Sequence, residues 1–497
     1  MPLPVISIEQ MRLWEKATWA SGQTEAEVIR RVGRVVAEHA VRLTRKGDRI
    51  LILCGNGHNG DDARGAREHL EHRQVAVLEV TSSEPDVASL ERELARHPAL
   101  VIDGLFGIGI NRPLAAAWQR FFQRLNAANV SILAVDTPSG LNANTGQPEG
   151  AAIKATVTLT VGAPKAGLLK ETAWPFVGRL EVAADVGLVP CSLVSELNWI
   201  LPSDFTAFPR ARSVATHKGS YGHVAIVAGS LGFHGASVLA ARGAQRAQPG
   251  LITLYTLEGV YPVVASQLQA VMVSIWQQET ELKESSTALL AGPGLAGPDV
   301  PAALKDFLQK LWRDSPLPMV VDASALSWLP AASVPLRGVR VITPHPGEAA
   351  RLLGWTTTEI QADRVKALRS LAAKLGDPWV VLKGHQTLIG RSTGEIHVNS
   401  SGNPHLAQGG SGDVLSGYLA GLLAQPRLQS DPAKTISYAV WQHGATADHL
   451  QERRPNWIVE DLIAALGQAE HVNQQEGNAS GLTETFDPEQ PQEPRRT

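Results

Sequence analysis

The stretch AQGGSGDVLSG at residues 407–417 joins a glycine-rich loop to one carboxylate and then enters an apolar segment. Glycines let successive backbone N–H groups converge on an anion, and the N-terminus of a following helix adds partial positive charge. Asp413 would then lie where a bound hydroxyl group must lose a proton. The stretch therefore predicts phosphate chemistry directed at a hydroxyl group.

Outward from this loop, short apolar runs alternate with stretches that are compatible with helices. This alternation predicts two α/β domains: an N-terminal Rossmann-like, doubly wound parallel sheet and a second α/β unit. No residue-level repeat relates the two series, so we expect a fusion of two different domains. The runs are 49–54, 75–80, 99–103, 131–136, 156–161 and 178–182, then 224–228, 251–255, 319–322, 339–342 and 379–382.

The expected domain boundaries follow from these runs and from composition. We expect a first domain at 1–205, a second at 206–472, and a disordered tail at 473–497, where Gln, Glu, Pro, Ser and Thr dominate. A chain of 497 residues exceeds what one compact core usually holds.

Charge and hydropathy exclude several classes of partner. The formal net charge is −3 without a basic stripe, so a nucleic-acid partner is not expected. Residues 1–10 lack a signal-peptide pattern, and no apolar run approaches the roughly 18 residues of a membrane span. With only two cysteines, Cys54 and Cys191, a disulfide scaffold or cysteine zinc site is not expected either. These features predict a cytoplasmic protein with no membrane partner.

Four further loops follow apolar runs in the second series. Residues 343–348 (TPHPGE) use two prolines to present His345 and Glu348 from a stiff loop at a strand end. Residues 383–387 (KGHQT) offer a lysine and a glycine for close approach to a nucleotide. Residues 229–236 and 292–295 are glycine-dense. Taken singly, each could be an ordinary turn or a solvated surface loop.

Together, and in this order, these motifs over residues 210–470 resemble those of the ADP- or ATP-dependent NAD(P)H-hydrate dehydratases. The resemblance implies a ribokinase-like fold and a substrate whose hydroxyl at C6 of the hydrated nicotinamide ring is activated by a nucleotide phosphate and eliminated. It implies that Asp413 accepts the hydroxyl proton and that Mg²⁺ takes part, with unassigned ligands. It further implies hydrate contacts at Ala236, Gly294, His345 and Asp413, and nucleotide contacts at Lys383, Gly384, His385, Gln386, Thr387 and Gly412.

In the first series, three strand ends carry oxygen-bearing side chains. CGNGHNGDDAR at 54–64 opens into a helix, and the loops that begin at Asp103 and Asp136 each continue into a glycine or serine turn. Asn59, Asp103 and Ser139 could together bind a large monovalent cation. Three separate turns that use Asp or Asn in the usual way are the alternative.

This arrangement over residues 1 to 190 resembles the NAD(P)H-hydrate epimerase domain, which occurs fused ahead of the dehydratase in bifunctional repair enzymes. The resemblance implies potassium at Asn59, Asp103 and Ser139, and proton handling by Asp136 and Lys165. It implies hydrate contacts at His58, Asn59, Gly60, Asp61, Asp62, Gly107, Ile108, Gly109, Ile110, Asn111, Arg112, Pro113 and Asp136.

The loop at residues 58–63 departs from the family pattern of two asparagines, two glycines, an aspartate and a glycine. Asp61 and Ala63 replace the second and third glycines. Asp61 adds a negative charge beside the expected pyrophosphate. Either residue would cost on the order of 1 kcal/mol or more if its position required a positive φ.

The function expected from both halves is repair of damaged nicotinamide cofactor. The second domain would dehydrate the S epimer of NAD(P)HX with ADP, or with ATP, and the first would interconvert the R and S hydrates. The alternatives are a small-molecule kinase with an accessory domain, a dehydratase with a retired epimerase domain, and a non-catalytic nucleotide-responsive scaffold. Preference for NADHX or NADPHX stays open, as does assembly into a homo-oligomer.

Overall fold

A computed structural model describes residues 3–331 and 336–467, and the tail expected at 473–497 lies outside the described residues. The described strands fall into two separate sheets. In chain order the strands are β1 (Leu3–Pro4), β2 (Arg49–Cys54), β3 (Gln74–Glu79), β4 (Leu100–Gly104), β5 (Ser131–Val135), β6 (Val157–Val161), β7 (Arg179–Ala183), β8 (Leu197–Trp199), β9 (His223–Val227), β10 (Leu251–Thr256), β11 (Met272–Ile275), β12 (Ala288–Ala291), β13 (Met319–Val321), β14 (Arg340–Ile342), β15 (Trp379–Leu382), β16 (Leu388–Gly390) and β17 (Ile396–Val398).

The helices connect these strands, as a parallel sheet requires. Several begin at side-chain caps: Thr24, for example, accepts a hydrogen bond from the Glu27 amide in a capping box. The α-helices are α1 (Ile8–Ala20), α2 (Glu25–Arg42), α3 (His58–Gly65), α4 (Val87–Leu94), α5 (Ala116–Asn126), α6 (Trp174–Val177), α7 (His234–Arg246), α8 (Tyr261–Gln267), α9 (Ala302–Asp314), α10 (Pro346–Leu353), α11 (Thr357–Ala362), α12 (Arg364–Lys374), α13 (Ser411–Leu423), α14 (Pro432–Arg453) and α15 (Val459–Ala465). No described helix combines the length and the apolar character needed to cross a bilayer.

The first sheet contains six parallel strands in the order β3-β2-β4-β5-β6-β7. This confirms the doubly wound sheet expected from the first series of apolar runs. The strand order reverses between β2 and β4, and open α/β sheets bind ligands in the crevice at such a point. The loops that begin at Cys54 and Asp103 both leave the sheet there.

The second sheet has eleven strands, of which seven, β9 to β15, are mutually parallel, in the order β15-β14-β13-β12-β9-β10-β11. The order reverses between β9 and β12. Apart from the glycine cradle, the four loops predicted to carry the dehydratase chemistry start at the carboxyl ends of β9, β12, β14 and β15. An α/β fold for the second unit is confirmed.

Two strands from the stretch expected to be the first domain lie in the second sheet. β1 pairs antiparallel with β8, and β8 pairs parallel with β17. One apolar cluster likewise runs from Leu168 and Val177 of the first unit to Leu388 and Val398 of the second. The boundary at residue 205 stays a prediction, but strand pairing and apolar packing both continue across it.

The glycine cradle is held in place by an unusually close contact between α7 and α13. A Cβ atom on Gly417 would lie 1.9 Å from the carbonyl oxygen of Ala240, and one on Gly243 would lie 2.3 Å from that of Val414. Only glycine fits at either position, because each neighbour is backbone and cannot rotate away. This contact fixes the N-terminal end of α13, where Asp413 lies.

We expect the Gly417→Ala substitution to destabilise the protein by roughly 1–3 kcal/mol, because its methyl group overpacks the α7–α13 contact. The measurement is the midpoint of urea unfolding. Gly235→Ala is the matched control, since this α7 glycine has no atom within 4 Å of its added Cβ. Equal midpoints for the two variants would contradict the packing account.

Candidate active sites

The glycine cradle has the backbone geometry of an anion site. Gly410 has φ +94° and immediately precedes α13, whose first turn carries Gly412 and Asp413. A Cβ on Gly410 would lie 2.4 Å from the Leu239 side chain. The free N–H groups of the first turn and the helix dipole thus face the same opening as the Asp413 carboxylate.

Lys383 lies at the centre of the charges around this opening. Its Nζ is 2.9 Å from Oδ1 of Asp322 and 4.0 Å from Oε2 of Glu348. A Cβ on Gly412 would lie 3.3 Å from the same Nζ, so the predicted nucleotide residues Lys383 and Gly412 are brought together. Burial alone would lower the pKa of Lys383, but the two carboxylates outweigh that effect and raise it.

The pKa of the Asp413 carboxyl group lies near neutral pH. Burial, and next the negative charge of Asp322, raise its pKa to about 7, against a smaller opposing effect of Lys383. A carboxylate with such a pKa accepts a proton more readily than an ordinary aspartate, and it is ionised in about half of the molecules at pH 7. This environment fits the predicted role of Asp413 as a base.

The stiff loop around His345 is confirmed in its geometry. His345 precedes α10, and its Nδ1 accepts hydrogen bonds from the amides of Gly347 (3.0 Å) and Glu348 (3.4 Å). Glu348 Oε2 accepts in return from the His345 amide at 2.8 Å. Burial lowers the pKa of His345, although Glu348 opposes this. The His345 ring is therefore held at the strand end with its side chain half exposed, and its Nε2 lies 3.6 Å from Oε2 of Glu348.

Ala236 and Gly294, the other two predicted hydrate contacts, are neighbours. Gly294 has φ +66°, and a Cβ there would lie 3.0 Å from the Ala236 Cβ and 2.3 Å from the Phe233 carbonyl oxygen. The loop after β9 and the loop after β12 thus meet where the strand order reverses.

The predicted nucleotide loop, residues 383–387, contains two positive φ angles, at Gly384 (+132°) and Gln386 (+51°). Thr387 Oγ1 donates to the Gly384 carbonyl oxygen at 3.0 Å and closes the turn. Two residues here had no predicted role. The sequence showed Asp322 only as the aspartate that ends an apolar run, whereas nothing local to Arg364 marks its role in supporting this loop from α12.

In the first domain, Asp136 and Lys165 form the predicted pair. Lys165 is fully buried, and its Nζ lies 2.5 Å from Asp136 Oδ1, 3.0 Å from Thr160 Oγ1 and 2.8 Å from the Val161 carbonyl oxygen. Asp136 has φ +61°, a conformation that aspartate tolerates but seldom adopts. Backbone strain at a buried charged pair is typical of a functional site.

Two more carboxyl groups surround this pair. Burial, Asp136 and Asp61 raise the pKa of Asp62 well above its usual value, and burial and Asp136 raise that of Glu15. The sequence interpretation included Asp62 and missed Glu15, which lies on α1, far from the strand-end loops. Carboxyl groups whose pKa is raised in this way hold a proton more tightly than ordinary Asp or Glu side chains, as a general acid requires.

The departures at residues 58–63 carry no backbone penalty. All six positions lie in α3, and none has a positive φ. Asp61 is neutralised by Arg64, whose Nη1 lies 2.5 Å from its Oδ1. The Ala63 methyl group packs against Gly104, where an added Cβ would lie 2.3 Å from it. The expected cost at Asp61 and Ala63 therefore does not arise, while the His58 side chain pairs with Glu25 at 3.1 Å.

The three predicted cation ligands converge around the Phe106 peptide. Ser139 Oγ donates to Asp103 Oδ1 at 2.6 Å and accepts from the Phe106 amide at 2.8 Å. Asn59 Nδ2 donates to the Phe106 carbonyl oxygen at 3.0 Å. Burial raises the pKa of Asp103 to about 6, against the Ser139 hydrogen bonds. Residues 107–113 continue from this point, and Gly107 is next to Asn59, with 3.4 Å from its added Cβ to the Asn59 Cβ.

Comparisons with known proteins cover both halves of the chain. The family model described as NAD(P)H-hydrate dehydratase matches residues 224–466, and the model described as YjeF-related protein N-terminus matches residues 78–167.

Curated relatives span nearly the whole chain. The bifunctional NAD(P)H-hydrate repair enzyme Nnr of Coxiella burnetii is 32% identical over 89% of this chain and 94% of its own length. The protein of the same name from Escherichia coli is 31% identical over 90% and 89%. A solved ADP/ATP-dependent NAD(P)H-hydrate dehydratase from Bacillus subtilis, co-crystallised with ATP and Mg²⁺, is 31% identical over 52% of this chain and 92% of its own, with a TM-score of 0.46.

Proposed function

The chain belongs to the family of bifunctional NAD(P)H-hydrate repair enzymes, and we propose that its second domain dehydrates the S epimer of NAD(P)HX with ADP while its first interconverts the R and S epimers. The observation that carries the proposal is the Asp413 carboxylate. It lies in the first turn of α13 behind the glycine cradle, with a pKa of about 7.

In the second domain, Asp413 takes the proton of the C6 hydroxyl as that oxygen attacks the terminal phosphorus of ADP. The phosphate ester forms and AMP leaves; the phosphate then leaves C6 as the ring loses a proton and regains its double bond. The N–H groups from Gly410 to Asp413 stabilise the charge on the transferred group. Lys383 adds a cation on the same side, and His345, Ala236 and Gly294 line the hydrate pocket.

The residues present fit Mg²⁺ carried by the nucleotide. Within residues 3–331 and 336–467, no three His, Cys, Asp or Glu side chains are grouped to hold a metal ion. Magnesium commonly binds through substrate phosphates and only one or two carboxylates, and Asp322 and Glu348 border the cradle. When bound, the ion neutralises phosphate charge, while orientation and proton transfer belong to the protein.

In the first domain, Asp136 and Lys165 handle the proton that epimerisation requires, and Asp62 and Glu15, whose pKa values are raised chiefly by burial, lie near the pair as candidate acids. The intact pair and the unstrained α3 support an active epimerase site over a retired one. The exposed segment 107–113, together with His58 to Asp62, borders the space in which the hydrate would lie.

The first domain also has a donor set that suits potassium. Among the described residues, the buried Oδ1 of Asn59 has no hydrogen-bond partner. Through its Nδ2, Asn59 is bonded to the Phe106 carbonyl oxygen, which also lies 3.2 Å from the Ser139 hydroxyl, and that hydroxyl is bonded to the Asp103 carboxylate. These are oxygen donors of the kind that binds a large monovalent cation. Such an ion would order the loop after β4 against α3 and so shape the hydrate pocket.

Two substitutions should separate the two activities. With a mixture of R and S NADHX, we expect Asp413→Asn to lower ADP-dependent NADH formation by ~10²–10⁴-fold while epimerisation continues. We expect Asp136→Asn to lower epimer exchange while dehydration of the S epimer continues. NADH absorbance reports dehydration, and NMR reports epimer exchange. Asp306→Asn, an exposed change on α9, is the matched control. Dehydration by Asp413→Asn at the rate of the unaltered protein would contradict this mechanism.

The pH dependence of dehydration should follow Asp413. Because the base must be ionised, we expect kcat/KM for the hydrate to rise with pH through a midpoint near the Asp413 pKa of about 7. Asp322→Asn removes the neighbouring negative charge and should move the midpoint to lower pH. A flat profile between about pH 6 and 8, or an unmoved midpoint in Asp322→Asn, would contradict this assignment.

Potassium should stabilise the protein more than sodium at equal ionic strength. The shift in melting temperature is expected at roughly 2–4 °C for each kcal/mol of linked binding energy. Asn59→Ala should abolish the difference between the salts, whereas Asn56→Ala, in the same loop but exposed, should retain it. Identical melting temperatures of the unaltered protein in KCl and NaCl would argue against the site.

A further inference from the structure

Trp174 belongs to the first domain but touches the nucleotide loop of the second. It begins α6, ahead of β7, and its ring centroid lies 5.1 Å from that of His385 in an edge-to-face arrangement. The same ring lies 5.9 Å from the guanidinium carbon of Arg364. Its Nε1 donates to the Leu169 carbonyl oxygen at 3.3 Å, which fixes the ring orientation from within the first domain.

Arg364 is the brace of that loop. Its guanidinium donates to the carbonyl oxygens of Leu382 (3.0 Å), Lys383 (3.3 Å) and Gln386 (3.4 Å), and also to that of His385. Four carbonyl groups in five consecutive residues thus converge on one side chain, which is itself buried. The two positive φ angles in the loop make such external support necessary, because the strained backbone would otherwise relax.

The first domain covers the Arg364 side chain through Trp174. An aromatic face beside a buried guanidinium stabilises its charge and excludes water, and the edge of the same ring limits the movement of His385. A second tie lies near: Arg179, five residues after Trp174, pairs with Asp448 at 3.0 Å, and Asp448 accepts from the Gly402 amide at 2.9 Å. Both contacts reach loops that lead into the proposed nucleotide site.

We propose that Trp174 is a positioning residue of the nucleotide site, through which the epimerase domain sets the affinity of the dehydratase domain for adenine nucleotide. The inference rests on the function proposed above. Trp174 acts through Arg364 and His385 on the backbone of residues 383–387, so its loss should weaken nucleotide binding and leave the chemistry at Asp413 intact.

The test measures the Kd of ADP by calorimetry, kcat at saturating ADP, and epimer exchange, all on the full chain. We expect Trp174→Ala to raise the Kd about tenfold, a coupling energy ordinary for contacting residues, with kcat and epimerisation within about twofold of the unaltered protein. Trp174→Phe keeps a ring beside Arg364 and should restore most of the affinity. If Trp174→Ala does not fold, Trp174→Leu takes its place, since Leu keeps the interface apolar.

Trp379→Ala is the matched control. Trp379 begins β15 at the end opposite the loop, and its ring centroid lies 5.9 Å from the guanidinium carbon of another arginine, Arg391. A double variant tests the route: in an Arg364→Lys background, Trp174→Ala should weaken ADP binding no further. The inference is overturned if Trp174→Ala binds ADP like the unaltered protein, if Trp379→Ala weakens binding equally, or if the two effects add. An unaltered protein that neither binds ADP nor converts NADHX would instead overturn the proposed function.

Discussion

The parallel pairing of β9, β12, β13, β14 and β15 is the constraint on which the dehydratase site depends. Parallel strands end at the same edge, so the loops that follow them are delivered to one place without any long-range sequence signal. Asp322, Glu348 and Lys383 follow three successive strands, and both carboxylates lie within 4.0 Å of the Lys383 ammonium group. The close α7–α13 contact then adds the cradle from the other side. Each element alone is an ordinary α/β feature, and the site arises from their common edge.

Electrostatics tie the parts of that site together. Lys383 is shared among Asp322, Glu348 and the first turn of α13, and the same carboxylates raise the pKa of Asp413. The pKa of Asp413 is thus raised first by burial and next by neighbouring negative charge, while the Lys383 cation is hydrogen-bonded to Asp322. The first domain uses a different arrangement, in which Asp136 is paired directly with a buried lysine, and burial raises the pKa of the neighbouring Asp62.

Sequence patterns predicted the long apolar strands well, and β2 and β15 have the bounds expected from their runs. They did not reveal β16 or β17, because three residues form too short a run to show periodicity. Glycine and proline spacing identified the cradle and the His345 loop, since local backbone rules govern both. The pKa of Asp413, the brace at Arg364 and the position of Glu15 were out of reach, because each depends on which distant elements pack together. The backbone strain expected at Asp61 and Ala63 does not arise, for the same reason: both residues lie in α3, which sets their φ angles.

The edge of the second sheet has a consequence for how the molecule is made. β1 pairs with β8, β8 with β17, and β17 with β16, so β1 is synthesised well before its partner β8 and longer still before β16 and β17. Contacts between such distant segments form slowly and leave an unpaired edge open in the meantime. β1, at Leu3–Pro4, is only two residues long. So short a strand offers too little unpaired backbone to pair with the edge strand of another protein molecule while β8 is being made.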